Sequence, residues 1–138
     1  TLPGAQAPVR SVQQLPTSPP RRGDERVLLV EDEEKLRIGT ARVLRARGYD
    51  VVTASDGLEA LALIEDAVCA FDLVITDVAM PRLRGDELAQ RLAQIRPGLP
   101  VICVSGYASG EARNVEHLLS KPVPEAVLLE KIREVVDG

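Results

Sequence analysis

Short apolar runs alternate along this chain with longer segments whose apolar residues recur at helical spacing. Four of these runs are rich in β-branched residues and end at a polar group: 27–30, 51–54, 71–77 and 101–104. Such runs are typical of strands that are buried on both faces of a sheet. Strands that alternate with helices predict βαβ units, a parallel sheet and right-handed crossovers.

The helices are predicted from caps and apolar stripes. Asp56-Gly57-Leu58-Glu59 has the spacing of a capping box, with an acidic N-cap and a glutamate three residues later. A proline suits the first turn of a helix, so Pro124 predicts where the last helix begins. The apolar stripes are Leu36, Ala41, Val43 and Leu44; Ala60, Leu61 and Ile64; Leu88, Leu92 and Ile95; and Leu128, Ile132 and Val135 or Val136. Leu118-Leu119 predicts a short fifth strand, whereas the segment from Tyr107 to Ser120 is otherwise ambiguous.

The first 23 residues differ from the rest, because they contain five prolines and no apolar periodicity. Such a segment buries too little apolar surface to offset the entropy lost on ordering. We therefore predict a Pro-rich linker or tail over 1–23, disordered, and one domain over 24–138.

Composition excludes several classes of function. The net charge is −4 and no basic cluster exceeds Arg21-Arg22, which argues against nucleic-acid binding. No apolar run approaches the roughly 20 residues of a membrane helix, and no signal peptide is recognisable. Cys69 and Cys103 lack metal-binding spacing, which favours buried thiols in a reducing compartment. We expect a cytoplasmic domain without membrane contact.

Polar groups follow four of the predicted strands. Glu31 and Asp32 follow the first, Asp77 the third, Ser105 the fourth and Lys121 the fifth. In the flavodoxin-like strand order 2-1-3-4-5 these strand ends are neighbours, so the side chains should meet in one cleft. Clustered carboxylates need a cation, and oxygen ligands alone favour Mg²⁺. Lysine and serine beside them suit a phosphoryl group, which predicts Asp77 as a nucleophile that accepts phosphate.

Four ordered motifs over residues 25–137 resemble the receiver domain of two-component response regulators, the CheY-like family. They are Val30-Glu31-Asp32-Glu33, Thr76-Asp77-Val78-Ala79-Met80-Pro81, Val104-Ser105-Gly106-Tyr107 and Ser120-Lys121-Pro122. The resemblance implies a (βα)5 three-layer sandwich in which Asp77 is the phosphoacceptor. It implies a Mg²⁺ site (Mn²⁺ can substitute) made by Asp32, Asp77, the Ala79 carbonyl and, largely through a bound water, Glu31. Ser105 and Lys121 would bind the phosphoryl group, and the Lys121-Pro122 peptide bond would be cis.

The sequence departs from the family between the serine and the lysine. Only 15 residues separate Ser105 from Lys121, so we expect a shortened or irregular fourth helix. Leu118 occupies the place of the family's switching aromatic residue, and Tyr107 is a candidate for gating the site. Val123 follows Pro122 where phenylalanine is common. Because of these differences the family's output mechanism does not transfer, and a homodimer is left open.

The resemblance implies that a histidine kinase or a histidine phosphotransfer protein supplies the phosphoryl group. The domain itself would catalyse only its own phosphotransfer and dephosphorylation, without an output domain after the last helix. The Pro-rich head and Ser105-Gly106-Tyr107 favour the C-terminal receiver of a hybrid sensor kinase, with a stand-alone receiver as the alternative. A remote alternative is an aspartate-nucleophile phosphohydrolase. That family needs a second Asp where this chain has Ala79, which argues against the enzyme. Intact Asp32, Asp77 and Lys121 argue against a degenerate receiver that serves only as an interaction module.

Overall fold

Five parallel strands form one sheet in the order β2-β1-β3-β4-β5, with helices on both faces. The computed structural model describes residues 25–66, 70–106 and 116–137. The strands are β1 (Arg26–Val30), β2 (Asp50–Ala54), β3 (Leu73–Asp77), β4 (Val101–Ser105) and β5 (His117–Ser120). The helices within the described ranges are α1 (Glu34–Ala46), α2 (Gly57–Glu65), α3 (Gly85–Ile95) and α4 (Glu125–Asp137). The predicted flavodoxin-like sheet is confirmed.

Some predictions fall outside these ranges. The irregular fourth helix would lie mainly in 107–115, and Tyr107 and Cys69 are also outside the described residues. The boundary between a linker and a domain near residue 24 stays a prediction. Among the described helices, none combines the length and the apolar character that crossing a membrane requires.

The register of the sheet aligns the carboxyl ends of its central strands. Val30 of β1 pairs with Thr76 of β3, and Asp77 pairs with Val104 of β4. Ser105 of β4 in turn pairs with Ser120 of β5. The polar groups at the ends of β1, β3, β4 and β5 therefore lie at the same edge of the sheet.

Two apolar layers support this edge from the two faces of the sheet. On one face, Leu29 and Ile75 pack with Ala41 and Leu44 of α1 and with Ile132 of α4. On the other face, buried residues of α2 and α3 pack against the alternate residues of β1 and β3. They are Ala60 and Ile64 of α2, Leu88 and Leu92 of α3, Leu28 and Val30 of β1, and Val74 of β3. Since successive strand residues point to opposite faces, one apolar run supplies both layers.

The N-cap predicted at Asp56 is present, whereas the second bond of the predicted capping box is displaced by one residue. The Asp56 carboxylate accepts the Glu59 N–H at 2.8 Å, and the Glu59 carboxylate accepts the Ser55 N–H at 2.7 Å. The Asp56 carboxylate thus satisfies one backbone donor in the first turn of the helix, and the Glu59 carboxylate binds the residue that precedes the N-cap. This cap fixes where the chain turns from β2 into α2, next to the loop that follows β3.

Gly85 lies where the chain returns from β3 to α3, and no larger residue fits there. A Cβ on Gly85 would lie 2.0 Å from the backbone oxygen of Asp77, and the Gly85 N–H donates to the Val78 oxygen at 2.8 Å. The first residue of α3 therefore packs directly on the backbone of Asp77.

We predict that Gly85→Ala lowers the free energy of unfolding by about 3 kcal/mol or more, because the backbone around Asp77 must move to admit the methyl group. Gly39→Ala in α1 is the matched control, since its Cβ would meet nothing within 4 Å. That change should stabilise the protein by up to about 1 kcal/mol through helix propensity. Urea denaturation followed by circular dichroism measures both, and equal effects of the two substitutions would contradict this account.

Candidate functional site

Three carboxylates meet at the edge of the sheet where β1 and β3 end. One oxygen each from Glu31, Asp32 and Asp77 lies within 4.8 Å of the other two. Asp77 is 7% exposed and Glu31 9%, whereas Asp32 is exposed to solvent. Backbone bonds extend the sheet past both strand ends, from the Glu31 N–H to Ala54 and from the Val78 N–H to Val104, each at 3.0 Å. The cluster of acidic residues could therefore hold a metal ion on a rigid base.

Lys121 is the cation of this cluster. Its ammonium lies 3.0 Å from Asp77 Oδ2 and 3.7 Å from Glu31 Oε1. Its backbone N–H donates to the Ser105 oxygen at 2.9 Å, which places it directly after β5. The peptide bond between Lys121 and Pro122 is cis.

The charges in the cluster perturb one another. Burial raises the pKa of Glu31 to about 7, and the nearby Asp77 carboxylate acts in the same direction. Burial alone would lower the pKa of Lys121, but the hydrogen bond to Asp77 and the charge of Glu31 raise it above its usual value. The ammonium of Lys121 thus stays charged, while Glu31 can take up a proton near neutral pH when no metal is bound.

The structure also shows the location and exposure of three other residues that the sequence singled out. Ser105 is buried at the end of β4, and its hydroxyl donates to the Gly106 oxygen at 3.2 Å. Ala79 is exposed in the loop after β3. Leu118 is 46% exposed on β5, the edge strand, and is not among the residues that line the cleft.

A cavity of about 720 Å³ opens beside the carboxylates. Four of the predicted residues contribute to its lining and therefore share one surface: Glu31, Asp77, Ala79 and Lys121. The remaining lining is mostly apolar and comes from the α1 and α4 side of the sheet, including Leu29, Leu36, Ile75, Val104, Val123 and Leu128.

Sequence reasoning missed Arg37. Its guanidinium donates to the backbone oxygen of Glu31 at 2.9 Å and so links α1 to the end of β1. Glu31 follows β1 and Arg37 lies within α1, so no single helix or strand period relates the two residues. A regular pattern therefore gives no signal for this contact.

Comparison with known proteins agrees with the geometry. A family model described as the response regulator receiver domain matches residues 27–133. The chain belongs to the response regulator receiver domain family. This receiver domain is accordingly part of a two-component system, in a signalling family whose members interact with histidine kinases or phosphotransfer proteins.

Two relatives from Brucella abortus (strain 2308) show the range of proteins that carry such a domain. The receiver is 38% identical to the sensor kinase CckA over 121 residues, which are 83% of this chain but 13% of the kinase. It is 30% identical to the response regulator receiver protein CpdR, where the match covers 81% of this chain and 97% of the relative.

Solved structures agree with this assignment. The receiver domain of the hybrid histidine kinase CckA has a TM-score of 0.70 and 40% identity, covering 80% of this chain and 98% of that one. A CheY-like receiver from Methanospirillum hungatei JF-1 has a TM-score of 0.76 and 35% identity, covering 83% and 95%. Both likenesses extend over nearly the whole length of the solved chains.

The raised pKa of Glu31 predicts a pH dependence of stability without metal. Because the folded state holds the Glu31 proton up to a pH of about 7 while an ordinary glutamate loses it near 4.5, the free energy of unfolding should fall as pH rises between these values. Glu31→Gln should remove this contribution, on the order of 2–3 kcal/mol. Glu34→Gln, which changes an exposed acid of α1, is the control.

Urea denaturation in EDTA at several pH values measures this effect. The advantage of Glu31→Gln over wild type should grow from pH 4.5 to pH 7, the interval set by the two pKa values. A difference that stays constant over that interval would show that the Glu31 proton is not held by the fold.

Proposed function

We propose that this receiver accepts a phosphoryl group on Asp77 from a histidine kinase or a histidine phosphotransfer protein, in a Mg²⁺-dependent reaction. One observation carries the proposal. The Asp77 carboxylate lies within 4.8 Å of two further carboxylates and 3.0 Å from the Lys121 ammonium, at the open edge of the sheet. A nucleophile, a set of metal ligands and a cation for the transferred group are thus together.

The donor set fits a hard divalent ion. Asp32 and Asp77 would be direct ligands, the Ala79 carbonyl would add a third oxygen, and Glu31 would act largely through a bound water. The described cluster contains carboxylate oxygens and no His or Cys, which suits Mg²⁺, with Mn²⁺ as a substitute. When bound, Mg²⁺ would offset the negative charge of the transferring group.

The reaction forms one bond and breaks another. An oxygen of Asp77 attacks phosphorus, the phosphorus–nitrogen bond of the donor phosphohistidine breaks, and its electron pair returns to the imidazole nitrogen, which takes up a proton. The product on the receiver is an acyl phosphate. Lys121 would then pair with a phosphoryl oxygen, and the Ser105 hydroxyl would donate to another and shift on activation. The receiver would thereby catalyse only its own phosphotransfer and dephosphorylation.

The similarity to CckA supports a hybrid sensor kinase as the parent protein, in the cytoplasm, with residues 1–23 as the linker. The match to nearly the full length of CpdR favours the alternative, a stand-alone receiver. Tyr107 and Leu118 stay candidates for gating, and a homodimer stays a candidate assembly.

We predict that a small phosphodonor with Mg²⁺ adds one phosphoryl group to the wild type and none to Asp77→Ala, as measured by intact mass. Asp66→Asn is the control, because it changes an exposed acid at the end of α2 and should accept phosphate normally. An equal adduct on Asp77→Ala, or no adduct on the wild type, would contradict the assignment of Asp77.

We further predict that EDTA abolishes the adduct and that Asp32→Asn weakens Mg²⁺ binding by at least about 10-fold, since a charged ligand is lost. Glu33→Gln changes the exposed neighbour of Asp32 and should retain wild-type affinity. Titration with MgCl2 followed by NMR amide shifts gives both affinities. Phosphorylation that proceeds unchanged in EDTA would rule out a metal requirement.

A further inference from the structure

The loop from Val78 to Arg84, here called the β3–α3 loop, contains an unusual backbone conformation. Arg82 has a φ of +73°, and among the described residues it is the one non-glycine residue with positive φ. Such a conformation is unfavourable for a side chain other than Gly, Asn or Asp, and it persists where surrounding contacts hold it. Arg82 lies three positions after Ala79, in the same loop as the proposed metal ligand.

Asp56 holds Arg82 in place. The Arg82 Nε donates to Asp56 Oδ2 at 3.2 Å, and a terminal nitrogen of the same guanidinium also contacts this oxygen. The Asp56 side chain is only 11% exposed and caps α2 through its other oxygen, whereas Arg82 is 59% exposed. A fixed carboxylate on the α2 cap therefore anchors a residue of the β3–α3 loop.

Contacts at both ends of the loop leave little room for movement. A Cβ on Gly57 would lie 2.6 Å from the oxygen of Leu83, so the start of α2 packs against the loop beside the ion pair. At the other end of the loop, Asp77 and Val78 are held by the start of α3, because Gly85 packs on their backbone. Between these two contacts, Ala79 lines the cavity together with Glu31, Asp77 and Lys121.

We propose that Arg82 and Asp56 are positioning residues, whose ion pair holds the β3–α3 loop so that the Ala79 carbonyl faces the metal ligands. This inference rests on the proposed function, in which Ala79 contributes to the Mg²⁺ site. The two residues touch neither the metal nor the phosphoryl group, and they act through the backbone between Ala79 and Arg82.

The positive charge of Arg82 allows an experiment to distinguish positioning of the loop from a direct electrostatic effect of the side chain on Mg²⁺. If the side chain affected Mg²⁺ only through its positive charge, removing it would tighten the binding of a cation. If the ion pair positions the loop, removing it weakens that binding. The two mechanisms therefore predict opposite signs for the same substitution.

Arg82→Asn is the informative variant, because asparagine tolerates positive φ but cannot form the ion pair. We expect Mg²⁺ affinity to fall about 10-fold, the lower end of the effects seen when residues that orient metal ligands are changed. The thermal unfolding midpoint should stay near that of the wild type, since relief of the backbone strain at position 82 compensates for loss of an ion pair whose arginine is largely exposed. Arg82→Lys keeps the charge and should restore part of the affinity.

Asp56→Asn removes the other half of the pair but keeps an N-cap residue, and it should weaken Mg²⁺ binding similarly. Because both substitutions remove one interaction, the double variant should bind Mg²⁺ no more weakly than the weaker single variant. Arg91→Gln removes an exposed arginine of α3 and should leave affinity unchanged. NMR titration with MgCl2 and thermal denaturation of the full chain provide both readouts.

Weaker Mg²⁺ binding by Arg82→Asn with an unchanged unfolding midpoint supports the inference. Wild-type or tighter binding by Arg82→Asn overturns it, even where the wild type binds Mg²⁺ and is phosphorylated on Asp77. Additive losses in the double variant overturn it as well, since two residues acting through one ion pair cannot lose it twice. A wild type that binds no Mg²⁺ overturns the proposed function and, with it, this inference.

Discussion

Repulsion between carboxylates at the ends of two adjacent strands is the constraint on which the rest of this receiver depends. The parallel register of β1 and β3 brings Glu31 beside Asp77, and both side chains are nearly excluded from water. Two negative charges in such surroundings are costly unless a cation joins them. Lys121 and the raised pKa of Glu31 provide the compensation within the chain, and a metal ion would provide it more fully.

The fold maintains this unfavourable cluster because its charged groups lie at the ends of three well-supported strands, β1, β3 and β5. The two apolar layers fix the strands, and backbone bonds extend the sheet by one residue beyond β1 and β3. Gly85 then presses the start of α3 against the Asp77 backbone. As a result, the backbone positions that carry Glu31 and Asp77 cannot separate without disturbing the sheet, so binding a cation relieves the repulsion without a change in the fold.

Much of this arrangement could be predicted from the sequence, since it depends on regular patterns. Buried strand runs and helical stripes gave the sheet, and polar residues at the strand ends gave the cluster of Glu31, Asp32, Asp77 and Lys121. The contacts of Arg82 with Asp56 and of Arg37 with Glu31 could not be predicted in this way. Each depends on a loop or side-chain conformation that brings residues of different elements together without any periodic spacing. The strand order came from matching a known fold, because alternation of strands and helices alone allows several orders.

The same geometry indicates how phosphorylation would be sensed when the usual switching aromatic residue is replaced by Leu118. Lys121 bonds Asp77 through its side chain and the Ser105 oxygen through its backbone N–H, so one residue connects the proposed phosphorylation site to both β4 and β5. If Asp77 accepts a phosphoryl group as proposed, that group would compete for the Lys121 ammonium, and a shift of Lys121 would act on the adjoining ends of β4 and β5. Because this connection uses the peptide backbone of Lys121, it does not require an aromatic side chain at position 118. Under the proposed function, the signal would therefore reach the β4 and β5 side of the sheet through Lys121, whatever residue stands at position 118.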